Sequence, residues 1–529
     1  MRKSSQIIIS ILFVLAITVP SLMMLFGKEQ IVSTVEKRKL APRPTLVLNY
    51  DGLTALPAAC QAYVNDHFGL RSQLIQLYNS LFIAVFGSSP KPGVIVGKGN
   101  WLFMAAEHVL EDFLGRTRIS PNMLREWKSI LFERQEWLTD QGITYLFLIP
   151  PNKMNVYPEF LPERISARSG KTSLDQFVEY LNKTPQFKSF LDLRPPLMAA
   201  KQQGQLYLSG DTHWNFEGSY IAYRAIMERL AQRYPELKPL PRKQMVREDR
   251  ILEGDLALTL NLGELYKEKT WILWPPDHEN LINFQPFKGY PQPATEQQSF
   301  RTGHLYYNEN DEKRLKAIFI SDSFGSALRG YLTAHFKRIV FVRDARFEDM
   351  TLLIEKEHPD IVIDLNVARG MDVALGQNLE IHNYIRHKHK NETKTILAVT
   401  GQELKEVLSE TVQIKPGSAS DDGFRFKATG KDPQLYLHIL PEISDAPLLL
   451  TFRLHSPDDT TFRLFFRGQE DENYSGKKMV EKRLRRGENS LSIKIYEAVD
   501  LSSIRIDPGE KPGDYMLESL SVELDKGGF

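Results

Sequence analysis

Lys316-Ala-Ile-Phe-Ile-Ser-Asp-Ser-Phe-Gly-Ser-Ala327 is the stretch on which the fold of this chain turns. Lys316 to Ile320 is a short apolar run of the kind that makes a buried strand, and Ser321 onward is rich in residues that start a helix. A serine at a strand end, entering a helix, is placed for nucleophilic attack. The free backbone N–H groups of the helix N-terminus are placed to hold an oxyanion. Read alone, Ser321, Asp322 or Ser323 is more simply a plain helix cap.

Working outward, the alternation repeats. Arg338 to Val342 reads as a strand, Phe347 to His358 as a helix and Ile361 to Leu365 as a strand. Upstream, a helix over about 120–139 precedes Ile143 to Ile149, an apolar run bounded by Gly142 and Pro150-Pro151. Strands alternating with helices imply a parallel α/β sheet, and such sheets carry their sites at the carboxyl ends of the strands. Functional residues are therefore sought just after Ile149, Ile320 and Leu365. Val94 to Val96 and Trp101 to Phe103 read as short strands around a Gly97–Asn100 turn, and Cys60 to Phe86 has helical periodicity. A helix is expected over 376–390. Its end, His387-Lys-His-Lys390, reads as a solvated basic terminus rather than a metal site, because no carboxylate or third spaced ligand accompanies it.

Beyond Lys415-Pro-Gly-Ser-Ala-Ser-Asp-Asp-Gly423, a loop composition, the texture becomes all β. Short strands are expected at 424–426, 435–439, 448–454, 461–466, 489–496, 503–506 and 519–524, with turn signals between them. That spacing predicts a β-sandwich of jelly-roll type. Aromatics such as Tyr436, Phe465 and Tyr474 have the chemistry to stack on sugars, although aromatics in strands are commonly core.

The chain has 529 residues, 42% hydrophobic and 25% charged, ordinary globular usage that excludes a disordered, collagen-like or polytopic membrane protein. Lys+Arg 67 against Asp+Glu 66 leaves a net charge of +1, which argues against nucleic acid as a partner. A single cysteine, Cys60, excludes an intramolecular disulfide and a cysteine-clustered zinc site, and is expected as a lone buried thiol. Ile7 to Phe26 runs for 20 residues without a charge behind Arg2 and Lys3. A helix of that length spans about 30 Å, the hydrocarbon thickness. An uncleaved single-pass anchor is expected, with the basic tip cytoplasmic and the bulk of the chain outside; a cleaved signal peptide is the alternative. The expected division is 1–27 tip and transmembrane anchor, 28–59 stalk, 60–395 catalytic α/β domain, 396–423 linker and 424–529 sandwich, a possible carbohydrate-binding module.

Two further stretches carry candidate chemistry. In Gly210-Asp211-Thr-His213-Trp214, the acid and the imidazole are two apart, on one face of an extended segment, where the acid can fix the tautomer of the base. In Asp364-Leu-Asn366-Val-Ala-Arg369, Asn366 or Arg369 is placed to polarise a carbonyl or hold a sugar; a turn and a loop salt bridge are the plainer accounts.

Asp211-Thr-His213-Trp214 with Glu217-Gly218, then Asp322-Ser323-Phe324, resembles the SGNH-hydrolase-type acetyltransferases of the alginate O-acetyltransferase family. Asn65-Asp-His-Phe-Gly-Leu-Arg71, Val96-Gly-Lys98 with Trp101-Leu-Phe103, and Pro150-Pro-Asn152-Lys153 with Tyr157-Pro-Glu159 follow the same pattern in order. The resemblance covers about residues 60–390 and implies an SGNH-like fold with Ser323 as nucleophile, His213 as base and Asp211 orienting it. Arg369, Asn366, Asn152, Lys153 and Trp214 become candidates for binding substrate or oxyanion. The sequence departs from the pattern at Ser321, where such blocks carry Gly, and before Arg369, where a Glu is usual.

The resemblance implies O-acetyl transfer onto hydroxyls of an exported polysaccharide at the bacterial inner membrane, facing the periplasm. It also implies a polytopic membrane protein as acyl donor, with neither cofactor nor metal. An acetyl esterase using the same triad and a non-catalytic glycan-binding scaffold are the alternatives. A metal hydrolase built on Asp211 and His213 lacks an evident third ligand.

Overall fold

The structure, a computed structural model, describes residues 2–26, 31–33, 38–117, 119–183, 187–286, 305–343, 347, 350–372, 375, 378–388, 393–437, 443–444, 448–468, 471, 473–475, 478–495, 499–500 and 504–525. Lys390, Ile439, Tyr496 and Ser503, named in the readings above, lie outside them.

A seven-stranded sheet organises the first two-thirds of the chain. Its order is Phe190–Asp192, Thr144–Ile149, Ile361–Leu365, Lys316–Ser321, Arg338–Arg343, Leu305–Glu309, Gln285–Pro286. The first five strands run parallel, in the alternation with helices that the sequence implies. The last two are antiparallel, so the sheet is mixed rather than parallel. Sequence reading missed both, and the outermost carries Pro286, which an edge strand tolerates because it has no ladder partner to lose there.

Helices cover both faces, which explains why the central strands are apolar on both faces rather than alternating, with Asp364 a buried polar exception. Leu146, Leu148, Phe319, Phe341 and Ile363 pack on one side, against Phe216–Leu230 through Tyr223 and Ile226. Phe147, Ile149, Ile318, Ile320 and Val362 pack on the other, against Pro121–Asp140 through Trp127 and Leu131 and against Ser173–Asn182 through Phe177. The helix expected after Ser323 is a 3-10 turn, Ser323–Leu328, followed by a short α-helix, Arg329–Thr333.

At the N-terminus a helix runs over Arg2–Phe26 with Pro20 inside it. Side chains of several of its residues, 2–6 among them, lie outside the described residues. Among the described residues no helix is long and apolar enough to cross a membrane, so the structure does not show the expected anchor. The expected stalk is helical at its end: Tyr50–His67 is capped by Asn49, whose side chain accepts from the Gly52 N–H at 2.6 Å. The periodic run to Phe86 is therefore two helices, broken where Leu70 takes a positive φ of 62° ahead of Arg71–Phe86. Cys60 is exposed, not buried.

The C-terminal part is all β, two facing sheets around Phe452, Phe462, Leu464 and Ile493. The expected linker at 396–423 is instead part of it. Thr393–Thr400 pairs with Gly513–Asp525, Leu408–Val412 pairs with Gln434–Leu437, and Ile414–Ser420 pairs with Gly423–Ala428. The loop-like composition of Lys415-Pro-Gly is accommodated because Ile414–Ser420 is an edge strand with a bulge between Pro416 and Ala419. Met479–Leu484 is a further strand that the sequence did not signal.

Candidate active site

Ser321 ends its strand level with Leu365, and Leu365 is level with Leu148. The three segments searched for chemistry thus leave the sheet side by side. Asp322 takes the cap: its carboxylate accepts from the Phe324 N–H at 2.8 Å and from the Val367 N–H at 2.6 Å. Ser323 is thereby released from capping. Its Oγ lies 2.7 Å from His213 Nε2, a contact between residues 110 apart in the chain. Burial pushes the Asp322 carboxyl up, against the two N–H bonds that favour its charge.

His213 sits on a loop pinched by a bridge between Tyr207 and Trp214. Its Nδ1 lies 2.7 Å from Asp211 Oδ1, which also accepts the His213 backbone N–H at 2.8 Å. The imidazole is thus fixed at both ends, with Nδ1–H toward the acid and Nε2 toward the serine. Burial works against the charge on Asp211, but the hydrogen bond and charge of His213 outweigh it and hold Asp211 below the usual carboxylate range.

Sequence reading missed Asp255. Its backbone N–H donates to Asp211 Oδ2 at 2.9 Å, and its carboxylate accepts from Thr212 N at 2.7 Å and Thr212 Oγ1 at 2.6 Å. One oxygen stands 3.6 Å from His213 Nδ1. Burial, then the charge of Asp211, pushes its carboxyl up. Gly254 makes the approach possible, since a Cβ there would meet Gly210 O at 2.0 Å. A lone Gly-Asp pair 44 residues from Asp211 gives no sequence signal of this. Asp211, His213 and Asp255 have donor atoms within 4.8 Å of one another, the third ligand that the sequence lacked. These atoms are engaged with each other and with Thr212, so a cation would have to break the bonds that orient the imidazole.

The remaining candidates divide. Asn152 is 4% exposed, and its buried Nδ2 has no hydrogen-bond partner among the described residues. Lys153 is buried beside it, but its ammonium donates to the carbonyls of Leu208 at 3.0 Å, Ser209 at 2.9 Å and Asp211. It therefore supports the loop and is not free to hold substrate. Trp214 donates from Nε1 to Phe324 O at 3.1 Å and packs edge-on against the Phe324 ring, buttressing the Ser323 turn. Asn366 donates to Asp364 at 2.8 Å; Asp364 in turn accepts from Tyr145 and Arg134 at 2.9 and 3.2 Å, in the sheet interior. Arg369 pairs with Glu107 at 3.2 Å over the Phe324 ring.

These groups stand at the carboxyl edge of a helix-flanked α/β sheet, and part of that domain matches a known family. Residues 94–279 match the family model of the SGNH hydrolase-like domain of the acetyltransferase AlgX. The chain is 28% identical over 234 residues to the "Probable alginate O-acetylase AlgJ" of Pseudomonas syringae pv. tomato, across 44% of this chain and 56% of that one. It thus spans about half the length of the curated relatives it matches. Among solved structures, it is similar to the O-acetyltransferase domain of Pseudomonas putida AlgJ at 18% identity and a TM-score of 0.37, over 56% of this chain and all of that one. It is similar also to Bacillus cereus PatB1 at 17% identity and a TM-score of 0.39, over 53% of this chain and 96% of that one.

Proposed function

We propose that the chain is a serine-dependent O-acetyltransferase acting on hydroxyls of an exported polysaccharide. The carrying observation is the pair of 2.7 Å contacts that link Asp211, His213 and Ser323 in series. In the first half-reaction His213 Nε2 takes the Ser323 proton while Oγ attacks the acetyl carbonyl. Asn152 Nδ2 and the backbone N–H of Ser323 receive the oxyanion. Asp211 stabilises the imidazolium, which returns the proton to the leaving group. In the second half-reaction a sugar hydroxyl gives its proton to His213 and attacks the acetyl-serine. Collapse of that intermediate forms the sugar ester and returns the proton to Ser323.

Three companions complete the proposal. The 20 uncharged residues Ile7 to Phe26 support single-pass anchoring in the inner membrane, with the bulk periplasmic. A polytopic membrane protein supplies the acetyl group. The sandwich holds glycan on an outer face where Tyr436, Arg505 and Phe465 lie side by side across three strands, with Tyr474 5.9 Å from Tyr436. None of these four side chains is fully buried, so the aromatics are not core.

The test uses the full chain with an artificial acetyl ester, wild type beside Ser323→Ala. Acetyl on Ser323 by mass spectrometry, and acetate release lost in the variant, are expected. Acetylated oligosaccharide then marks a transferase and free acetate alone marks an esterase. Equal inertness of both proteins across donors and acceptors sinks the serine chemistry and favours the scaffold.

A further inference from the structure

We infer that Lys153 is a positioning residue whose ammonium, by binding three backbone carbonyls of the loop that carries Asp211 and His213, sets that pair against Ser323. The inference rests on the acyl-transfer reading of the site and deepens it.

Lys153 opens a short helix, Lys153–Val156, at the carboxyl end of the Thr144–Ile149 strand. Its base is therefore fixed by the sheet that also fixes Ser323. Its tip reaches a different segment and donates to the carbonyls of Leu208, Ser209 and Asp211. Beyond the Tyr207–Trp214 bridge the loop is tied by scattered single bonds, among them Leu102 N–H to the Ser209 carbonyl, the Tyr207 hydroxyl to the Pro151 carbonyl and Trp214 Nε1 to the Phe324 carbonyl, whereas Lys153 gathers three of its carbonyls at one point. The ammonium also stands 5.4 Å from the Trp101 ring and 5.1 Å from the Phe103 ring, which line its channel without supplying an acceptor.

The count of protons matters. An ammonium has three donors and no acceptor, so it satisfies three carbonyls. A neutral amine has two, and its lone pair then faces the third carbonyl. Deprotonation must release or repel one of the three. The charged groups facing Lys153 are Asp211 on the loop, Asp255 on the Asp255–Thr259 helix and Glu268 on the Lys267–Trp274 strand, and all three favour the ammonium. Burial opposes them and prevails, lowering the lysine to about 7. The clamp is thus closed on the acid side of neutrality and weakened on the alkaline side. Deprotonation does not act by unfolding the chain. A lysine that loses its proton more easily folded than unfolded makes the folded state relatively more stable as pH rises from about 7 to the ordinary lysine value.

Two measurements on the full chain decide it: ester turnover across pH, and hydrogen–deuterium exchange of the peptide containing 206–214, each for wild type, Lys153→Met and Lys153→Arg. Wild-type kcat is expected to fall on the alkaline side of about pH 7 with KM little changed, while exchange in 206–214 rises over the same range beyond its intrinsic increase with pH. Lys153→Met should lose at least tenfold in kcat and show raised exchange at every pH. Lys153→Arg, which keeps its charge, should move the alkaline limb upward if it folds. Wild-type exchange in this peptide that follows the intrinsic increase alone, or an unchanged alkaline limb in Lys153→Met, overturns the inference. If no protein shows Ser323-dependent turnover, the acyl-transfer reading fails, and exchange alone then decides whether the clamp exists.

Discussion

A Cβ built on Gly325 would stand 2.2 Å from the Oγ of Ser321 and 2.3 Å from its Cβ. The residue two before the nucleophile has a side chain here, and the residue two after has none. The space that the Ser321 side chain takes at the strand end is left open by Gly325. Gly325→Ala should therefore misplace the Ser323 turn, lowering ester turnover at least tenfold and stability by about 1–3 kcal/mol, the usual cost of overpacking. Ser321→Gly alone should be mild. The double variant should recover most of the loss, and a thermodynamic cycle showing less than about 0.5 kcal/mol of coupling would count against the exchange of roles.

Asn152 offers the sharpest check on the oxyanion site. Asn152→Ala should reduce kcat by about 10²-fold with KM nearly unchanged, because the bond it removes is made only as charge develops on the carbonyl. Its Nδ2 has no partner to lose among the described residues, so thermal unfolding should move little. An Asn152→Ala enzyme with unaltered kcat would leave the oxyanion to backbone donors alone.

His335 gives a pH prediction remote from catalysis. It is buried, 2.6 Å from the Tyr223 hydroxyl, and burial lowers it to about 4. The unfolded chain takes up this proton near pH 6.5 and the folded chain only near 4, so folded stability falls as pH drops through that interval. The full effect is about 3 kcal/mol. Denaturant unfolding of His335→Gln should show a flatter pH dependence between those values, and an identical slope would refute the assignment.

The sandwich face predicts a separation of binding from chemistry. Tyr436→Ala with Phe465→Ala should weaken polysaccharide binding at least tenfold while leaving turnover of a small acetyl ester within twofold. Isothermal titration and the ester assay together test it. Loss of ester turnover without loss of glycan binding would move the acceptor surface elsewhere.

Much of this was legible in the sequence, and the gaps have physical causes. The buried parallel strands announced themselves as unbroken apolar runs between turn residues, because both faces of that sheet are covered. The Asp211–His213 pair was legible as an acid two residues from an imidazole, although the segment bends rather than extends, so that Asp211 Oδ1 meets both the backbone N–H and Nδ1 of His213. The strand Leu305–Glu309 was not, since Leu305-Tyr-Tyr-Asn-Glu309, one place in from the edge, is too short and polar to read as a buried apolar run. The strand Ile414–Ser420 was hidden by a proline and glycine that only an edge position permits. Asp255 and the carbonyl contacts of Lys153 depend on backbone atoms brought together from distant segments, and no side-chain pattern encodes those.

The separation of His213 and Ser323 by 110 positions bears on how the chain is made. Acid and base are synthesised first, on a loop whose partner serine does not yet exist. The serine then acquires its base only when strands from both sides of that interval have paired. Closing so long a loop is costly in entropy and late in folding. A nascent or unfolded chain therefore has no contact between the Ser323 hydroxyl and the His213 imidazole, and that contact forms only once the sheet has assembled.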